Sequence, residues 1–157
     1  MILTKTLWAG WVVLSPQNLF FARDTGYSKD FVELGRRYSH IDLSLIPIGA
    51  NSPRWFISDM HVNPEQAVKI YLDVKNRQSI GMHWGTFVNL TKESLLEPPK
   101  RLLQELEKRK INSLEFRVLE HGQIIMLGKL ILVYISNLWR LLRRKSRLNI
   151  GVYMTCV

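Results

Sequence analysis

The tetrad Asn63-Pro64-Glu65-Gln66 constrains this chain more than any other stretch of it. Asn63 can cap a helix with its side-chain oxygen. Proline suits the first helical position, where an N–H would have no intrahelical partner, and Gln66 can reach back to the N–H of the cap residue. The helix that follows would set Ala67, Val68, Tyr71, Leu72 and Val74 on one broad face. Such a face needs a sheet against it. Ile41–Ile48 is a short apolar strand ending at Gly49, and Ser79–Met82 is a second strand that runs into His83. Strands that alternate with amphipathic helices predict an α/β layer structure.

The flanking segments extend the same pattern. Leu7–Leu14 and Leu19–Ala22 are rich in Trp, Val, Leu and Phe, with turn residues Ser15-Pro16-Gln17-Asn18 between them, and predict a β-hairpin. Ser28 offers an N-cap with Asp30 in the first turn, and Phe31, Leu34 and Tyr38 recur at helical spacing. Pro98 or Pro99 opens a further helix, with Leu102, Leu103 and Leu106 inward and Lys100, Glu105, Lys108 and Arg109 outward. Glu115–Leu119 and Gln123–Leu127 predict a last hairpin around His121-Gly122. The expected order is β-β-α-β-α-β-α-β-β over residues 1–127, followed by an apolar and then basic tail, 128–157.

A 46% hydrophobic composition over 157 residues is that of a globular domain with a real core. The formal net charge is +9, and part of the excess lies together at Arg140, Arg143, Arg144, Lys145 and Arg147. This cluster follows an apolar run, which favours a membrane surface over nucleic acid; no recognition helix or zinc-finger spacing supports the latter. The stretch Leu130–Arg147 is shorter in its apolar part than the roughly 20 residues of a bilayer span, and reads either as an amphipathic helix lying on the membrane or as a tail with no selected function. Cys156 is the single cysteine, so no intrachain disulfide forms, which fits a reducing compartment. Lys5 interrupts the apolar N-terminus, which reads as a strand and not as a signal peptide. The expected placement is cytoplasmic, peripheral to a membrane.

Five residues could carry chemistry. Asp24 follows the strand Leu19–Ala22 and precedes Thr25-Gly26, where a carboxylate can reach a cleft at the sheet edge or bond its own turn. His83 stands in the equivalent place after Ser79–Met82, as a metal ligand or a hydrogen-bonded structural residue. His61 precedes the capped helix, where free N–H groups suit a phosphate, or is an ordinary surface histidine. Arg54 could pair with a carboxylate or phosphate, or brace its loop, and Trp55 follows it. His40 and His121 carry no motif; His121-Gly122 reads as a turn.

The stretches FFARDTGYSKDF (20–31), IPIGANSPRWF (46–56), MHVNPE (60–65) and MHWGTF (82–87) follow one another in this order. Together they resemble the metallo-β-lactamase-fold hydrolases of the N-acylphosphatidylethanolamine-hydrolysing phospholipase D type, over roughly residues 4–127. The resemblance implies the C-terminal half of an αββα sandwich and a zinc-dependent phosphodiesterase that binds two zinc ions. It makes Asp24 the carboxylate that bridges the metals, His83 the last zinc ligand, and His61 a contact to the substrate phosphate. Arg54 and Trp55 would help bind substrate. The chain departs from the family pattern in three places. Arg23 stands where the family has glycine, Asn51 where it has an aromatic residue, and the upstream H-x-H-x-D-H motif that supplies most ligands does not occur here. The expected state is therefore an enzyme half inactive alone, or a non-catalytic, membrane-associated remnant. A sheet face left bare would be covered by an N-terminal half-domain or by a second copy of the chain.

Overall fold

The computed structural model describes residues 9–38, 40–86, 91–127, 130–133 and 151–156. A six-stranded mixed sheet forms the centre. Its strands are β1 (Ala9–Leu14), β2 (Leu19–Phe21), β3 (Leu43–Pro47), β4 (Gln78–Met82), β5 (Phe116–Val118) and, at the far edge, β8 (Gly151–Cys156), in the order β5-β4-β3-β2-β1-β8. β1 pairs antiparallel with β2 and with β8, whereas β2, β3, β4 and β5 are parallel neighbours. The predicted N-terminal hairpin is present, with Val12 opposite Phe20.

The helices α1 (Asp30–Arg37), α3 (Pro64–Val74) and α4 (Glu97–Lys108) cover one face, and α2 (Arg54–Ile57) is a single turn. The capping box at α3 forms as predicted: Gln66 N–H donates to Asn63 Oδ1 at 2.9 Å, and Asn63 N–H to Gln66 Oε1 at 3.3 Å. α1 begins at Asp30 with Lys29 as its cap, and Ser28 Oγ accepts the Asp30 N–H at 3.2 Å. Between helices and sheet lies a core built on Phe20, Phe31, Ile46, Ile48, Val68, Ile70, Leu102, Leu106 and Phe116. α1 crosses α3 so closely that a methyl group on Gly35 would stand 2.2 Å from the Asp73 carbonyl oxygen.

Three expectations need correction. Two helix faces differ from the sequence reading: in α3 Leu72 faces out, 43% exposed, and Ile70 is buried, and in α4 the buried stripe is Pro98, Leu102, Glu105 and Leu106, so Leu103 faces out and Glu105 faces in. Glu105 tolerates burial because Arg109 Nε donates to it at 2.5 Å and Lys108 Nζ lies 3.7 Å away. The second correction concerns the last hairpin. β5 pairs in parallel with β4, while β6 (Ile124–Leu127) pairs with β7 (Leu130–Val133) in a separate two-stranded sheet. The turn closed by Gln123 N–H to the Glu120 carbonyl, with Gly122 at φ 87°, takes the chain out of the main sheet. Ile125 then packs on the second sheet face with Leu19, Phe21 and Met82, against Leu43, Leu45, Ile80 and Leu119. These last four side chains are at most 4% exposed, so at these positions the face is not bare.

The third correction concerns the tail. Its first residues, Leu130–Val133, form a strand, as do Gly151–Cys156; the remainder of the predicted surface helix lies outside the described residues. Among the described residues no helix is long and apolar enough to cross a membrane.

Candidate metal centre

Because β2, β3 and β4 are parallel, their C-terminal ends share one edge of the sheet, and the candidate residues gather there. Asp24 lies three residues past β2, His83 directly follows β4, and Gly49-Ala50 follows β3. His61 arrives from the connection between α2 and α3. That connection is docked on the Asp24 turn, since Val62 N–H donates to the Thr25 carbonyl at 2.9 Å. The approach is so close that a methyl group on Gly26 would stand 2.5 Å from the Asp59 carbonyl oxygen.

Asp24, His61 and His83 each present a ligand atom, and the three atoms lie within 4.8 Å of one another. His83 Nε2 is 3.4 Å from Asp24 Oδ1, and its Nδ1 is 3.4 Å from the Gly49 carbonyl oxygen. The His61 and His83 rings stack with centroids 5.1 Å apart. His61 Nδ1 is buried without a hydrogen-bond partner. Burial, and secondarily His83, lowers the His61 pKa against the opposing pull of Asp24, so this imidazole is neutral at pH 7. A carboxylate, a neutral imidazole with an unpartnered nitrogen and a second imidazole are a donor set that suits a zinc-class divalent ion. Three donors are fewer than two four-coordinate ions require.

The edge is built under strain. Arg23 (φ 59°), Ala50 (φ 58°) and His83 (φ 59°) all adopt the left-handed region that disfavours side chains, one past the end of each of β2, β3 and β4. Backbone strain of this kind gathers where surrounding structure over-determines a functional geometry.

Arg54 braces the site from behind. Its Nη1 donates to the His61 carbonyl at 2.7 Å, and its Nη2 donates at 2.8 Å to Gln66 Oε1, which also serves the helix cap. Of the two roles open to it from sequence, this geometry supplies the brace. Trp55 is not one of the three donors; it is 85% exposed on α2 with its ring edge-on to Phe56. His40 takes no part in the cluster. His121 forms the predicted turn with Gly122 and also packs on Trp84, ring centroids 5.5 Å apart.

Sequence reasoning missed the residues that hold the loop after β3. Both carboxylate oxygens of Glu93 accept backbone N–H groups, from Asn51 at 2.9 Å and Ser52 at 3.1 Å. Burial raises the Glu93 pKa, but bonds from Thr91 and the Asn51 backbone outweigh it and leave the pKa lowered. Asn51, buried, donates from Nδ2 to the Ile48 carbonyl and accepts from Arg101 Nη1 at 3.2 Å. Arg101 in turn grips Glu65 with two donors. No local pattern announces Glu93, because its partners lie about forty residues away. Gly49 carried a signal, a glycine at a strand end, and its backbone does lie against His83.

Comparison with known proteins agrees with the fold. Residues 3–84 match the family model described as a beta-lactamase superfamily domain. The N-acyl-phosphatidylethanolamine-hydrolyzing phospholipase D 1 of Caenorhabditis elegans is 39% identical over 121 residues, covering 75% of this chain and 34% of that protein. An uncharacterized protein of Mycobacterium tuberculosis is 42% identical over 106 residues, 65% of this chain and 28% of that one. The mitochondrial N-acyl-phosphatidylethanolamine-hydrolyzing phospholipase D of Saccharomyces cerevisiae is 41% identical over 102 residues, 62% of this chain and 22% of that one. The chain thus spans no more than about a third of the length of these relatives. With more than half of its residues matched, and with its α/β sheet carrying a His/Asp cluster at the strand edge, the chain belongs to the beta-lactamase superfamily domain family.

Proposed function

We propose that this chain supplies one wall of a zinc-dependent phosphodiesterase acting on phospholipids of the N-acylphosphatidylethanolamine class, and that it does not complete the reaction alone. The observation that carries this reading is the convergence of Asp24, His61 and His83 within 4.8 Å, on a chain with relatives of that activity. Asp24 and His83 are the residues that would hold the metal. A bound divalent ion supplies Lewis-acid activation of water and neutralises charge that develops at phosphorus. His61, neutral and beside the other two donors, is suited to one hydrogen bond from its ring N–H to a phosphate oxygen. Arg54 is spent on holding the His61 carbonyl and orients that imidazole from behind.

The remaining ligands would come from a segment bearing H-x-H-x-D-H, as an N-terminal half-domain or as a separate chain. The donor count favours a second reading on its own: a half-domain without catalysis. Metal content by mass spectrometry, together with phosphodiester hydrolysis, separates the possibilities. The expected result is less than one tightly held zinc per chain, and hydrolysis no faster than that of the Asp24→Ala/His83→Ala variant. Two zinc ions per chain, with activity lost in the double variant, would show a complete enzyme and overturn the proposal of a partial site. If added H-x-H-x-D-H segment restores no hydrolysis, the non-catalytic reading stands.

A further inference from the structure

The connection from β4 to α4 grips the turn after β3 at two points. At its start, the backbone of His83 and Trp84 lies against Gly49, where a methyl group would stand 2.2 Å from the His83 carbonyl oxygen. Near its end, the two carboxylate oxygens of Glu93 accept the N–H groups of Asn51 and Ser52, at 2.9 and 3.1 Å. Ala50, left-handed at φ 58°, is held between the two grips. Successive N–H groups that converge from such a turn form an anion-binding concavity, and a carboxylate seated there makes charge-assisted bonds. The other bonds of Asn51 run through its side chain, from Nδ2 to the Ile48 carbonyl and from Arg101 Nη1 to Oδ1. Glu93 is what fastens the backbone of the turn itself.

The near end of the same turn touches the candidate metal centre. The Gly49 carbonyl oxygen stands 3.4 Å from His83 Nδ1, and His83 Nε2 stands 3.4 Å from Asp24 Oδ1. An imidazole whose Nδ1–H is directed at a carbonyl is free to offer Nε2 to a metal, and its ring orientation is set by that carbonyl. Glu93 also belongs to this edge electrostatically: its charge acts on the His61 imidazole, after burial, His83 and Asp24. We propose that Glu93 is a positioning residue for the candidate metal centre: its carboxylate, held as an anion by the turn after β3, keeps the Gly49 carbonyl beside His83 Nδ1 and so aims His83 Nε2 at the ion. The proposal rests on the reading of Asp24 and His83 as metal ligands and requires no turnover.

The test uses the whole chain and cobalt(II) alone, followed by its visible absorption, together with amide NMR spectra of the isotope-labelled chain. Glu93→Ala is expected to weaken cobalt binding by about tenfold or more and to shift the Asn51 and Ser52 amide resonances. Sodium acetate, which can enter the emptied turn, is expected to restore both in a saturable way, with affinity read as a ratio to wild type in the same buffer. Sodium chloride at equal ionic strength is expected to restore neither. Glu93→Gln keeps an acceptor without the charge and should fall between. Tyr71→Phe removes the bond to Glu115, which precedes β5 at the opposite edge of the sheet, and should keep cobalt affinity despite lost stability. Unchanged affinity in Glu93→Ala overturns the proposal, and so does an equal loss in Tyr71→Phe, because the effect is then one of stability. A loss that acetate leaves unrepaired overturns it too, because the carboxylate is then not acting as an anion held by the turn. Should Glu93→Ala unfold, wild-type affinity in Glu93→Gln overturns the proposal equally. Wild-type chain that binds no cobalt overturns this proposal together with the metal-centre reading, whereas failure of hydrolysis leaves the cobalt measurements standing.

Discussion

Gly49→Ala couples the stability of the sheet to the candidate metal centre. A methyl group at this position would stand 2.2 Å from the His83 carbonyl oxygen and 3.0 Å from Trp84 Cα. The first distance is roughly 1.2 Å short of ordinary contact, and the obstructing atoms are backbone, which cannot swing aside. Relief requires the ends of β3 and β4 to part beside the Ile48 N–H to Met82 carbonyl bond, now 2.9 Å. Overpacking of this kind costs about 1–3 kcal/mol, and loss of the adjoining hydrogen bond about 1 kcal/mol more, so about 3 kcal/mol is expected. At a urea m-value of about 2 kcal/mol per molar, the unfolding midpoint falls by about 1.5 M. The same displacement moves His83 off Asp24, so zinc affinity should fall together with stability. A midpoint within about 0.3 M of wild type would refute the steric argument. A full loss of stability with unchanged zinc affinity would refute the link to His83.

Other substitutions probe other parts of the structure. Arg23→Gly removes a left-handed side chain and should raise the thermal midpoint slightly; the relief of about 1–2 kcal/mol is partly offset by glycine's greater freedom when unfolded, and a lower midpoint would count against strain at this residue. Asn63→Ala breaks the capping box of α3 and should cost about 1 kcal/mol by urea titration; no loss would mean that the cap is dispensable to a helix so well packed. Glu93 has a lowered carboxylate pKa, so the unfolded chain binds its proton first as pH falls; its contribution is present above the unfolded value and lost as pH drops through the folded one. The stability difference between wild type and Glu93→Gln, measured by urea titration at several pH values, should therefore shrink on acidification below about pH 4.5. A difference that stays constant across that range would remove Glu93 from the acid response.

What could be read from the chain divides by the range of the interaction. The cap at Asn63 and the apolar stripe of α1 depend on neighbours within one turn and form as patterned, whereas the α3 face runs through Ala67, Ile70, Tyr71 and Val74 and leaves Leu72 outside. In α4 leucine alone does not mark the buried face, since Leu103 is exposed. The arc through Pro98, Leu102 and Leu106 also includes Glu105, which Arg109 neutralises, and leaves Leu103 outside. The position after β5 failed for a similar reason: alternating apolar residues announce a strand but not its partner, and Ile125 found the far face of the sheet and not the edge of β5. Asp24, His61 and His83 were each visible through a motif. Their convergence needed the parallel order of β2, β3 and β4, and the Glu93–Asn51–Arg101 brace joins residues 42 and 50 positions apart, beyond any local pattern.

The three left-handed residues at the strand ends have a consequence for how this molecule opens. Each holds of order 1 kcal/mol of conformational energy that is released as soon as its loop leaves the sheet edge. The edge therefore sits closer to its own unlatched state than the strands behind it, even though the same peptide chain runs through both. Amide hydrogens of residues 22–25, 49–52 and 83–86 should exchange through local openings, while those of β3 and β4 wait for the whole domain to unfold. An ion that bridges Asp24 and His83 would tie two of these loops together, and its addition should slow exchange at the edge and leave the strand centres nearly unchanged. The candidate centre is in this sense a latch: a ligand closes it, and its looseness is already written into the φ angles of Arg23, Ala50 and His83.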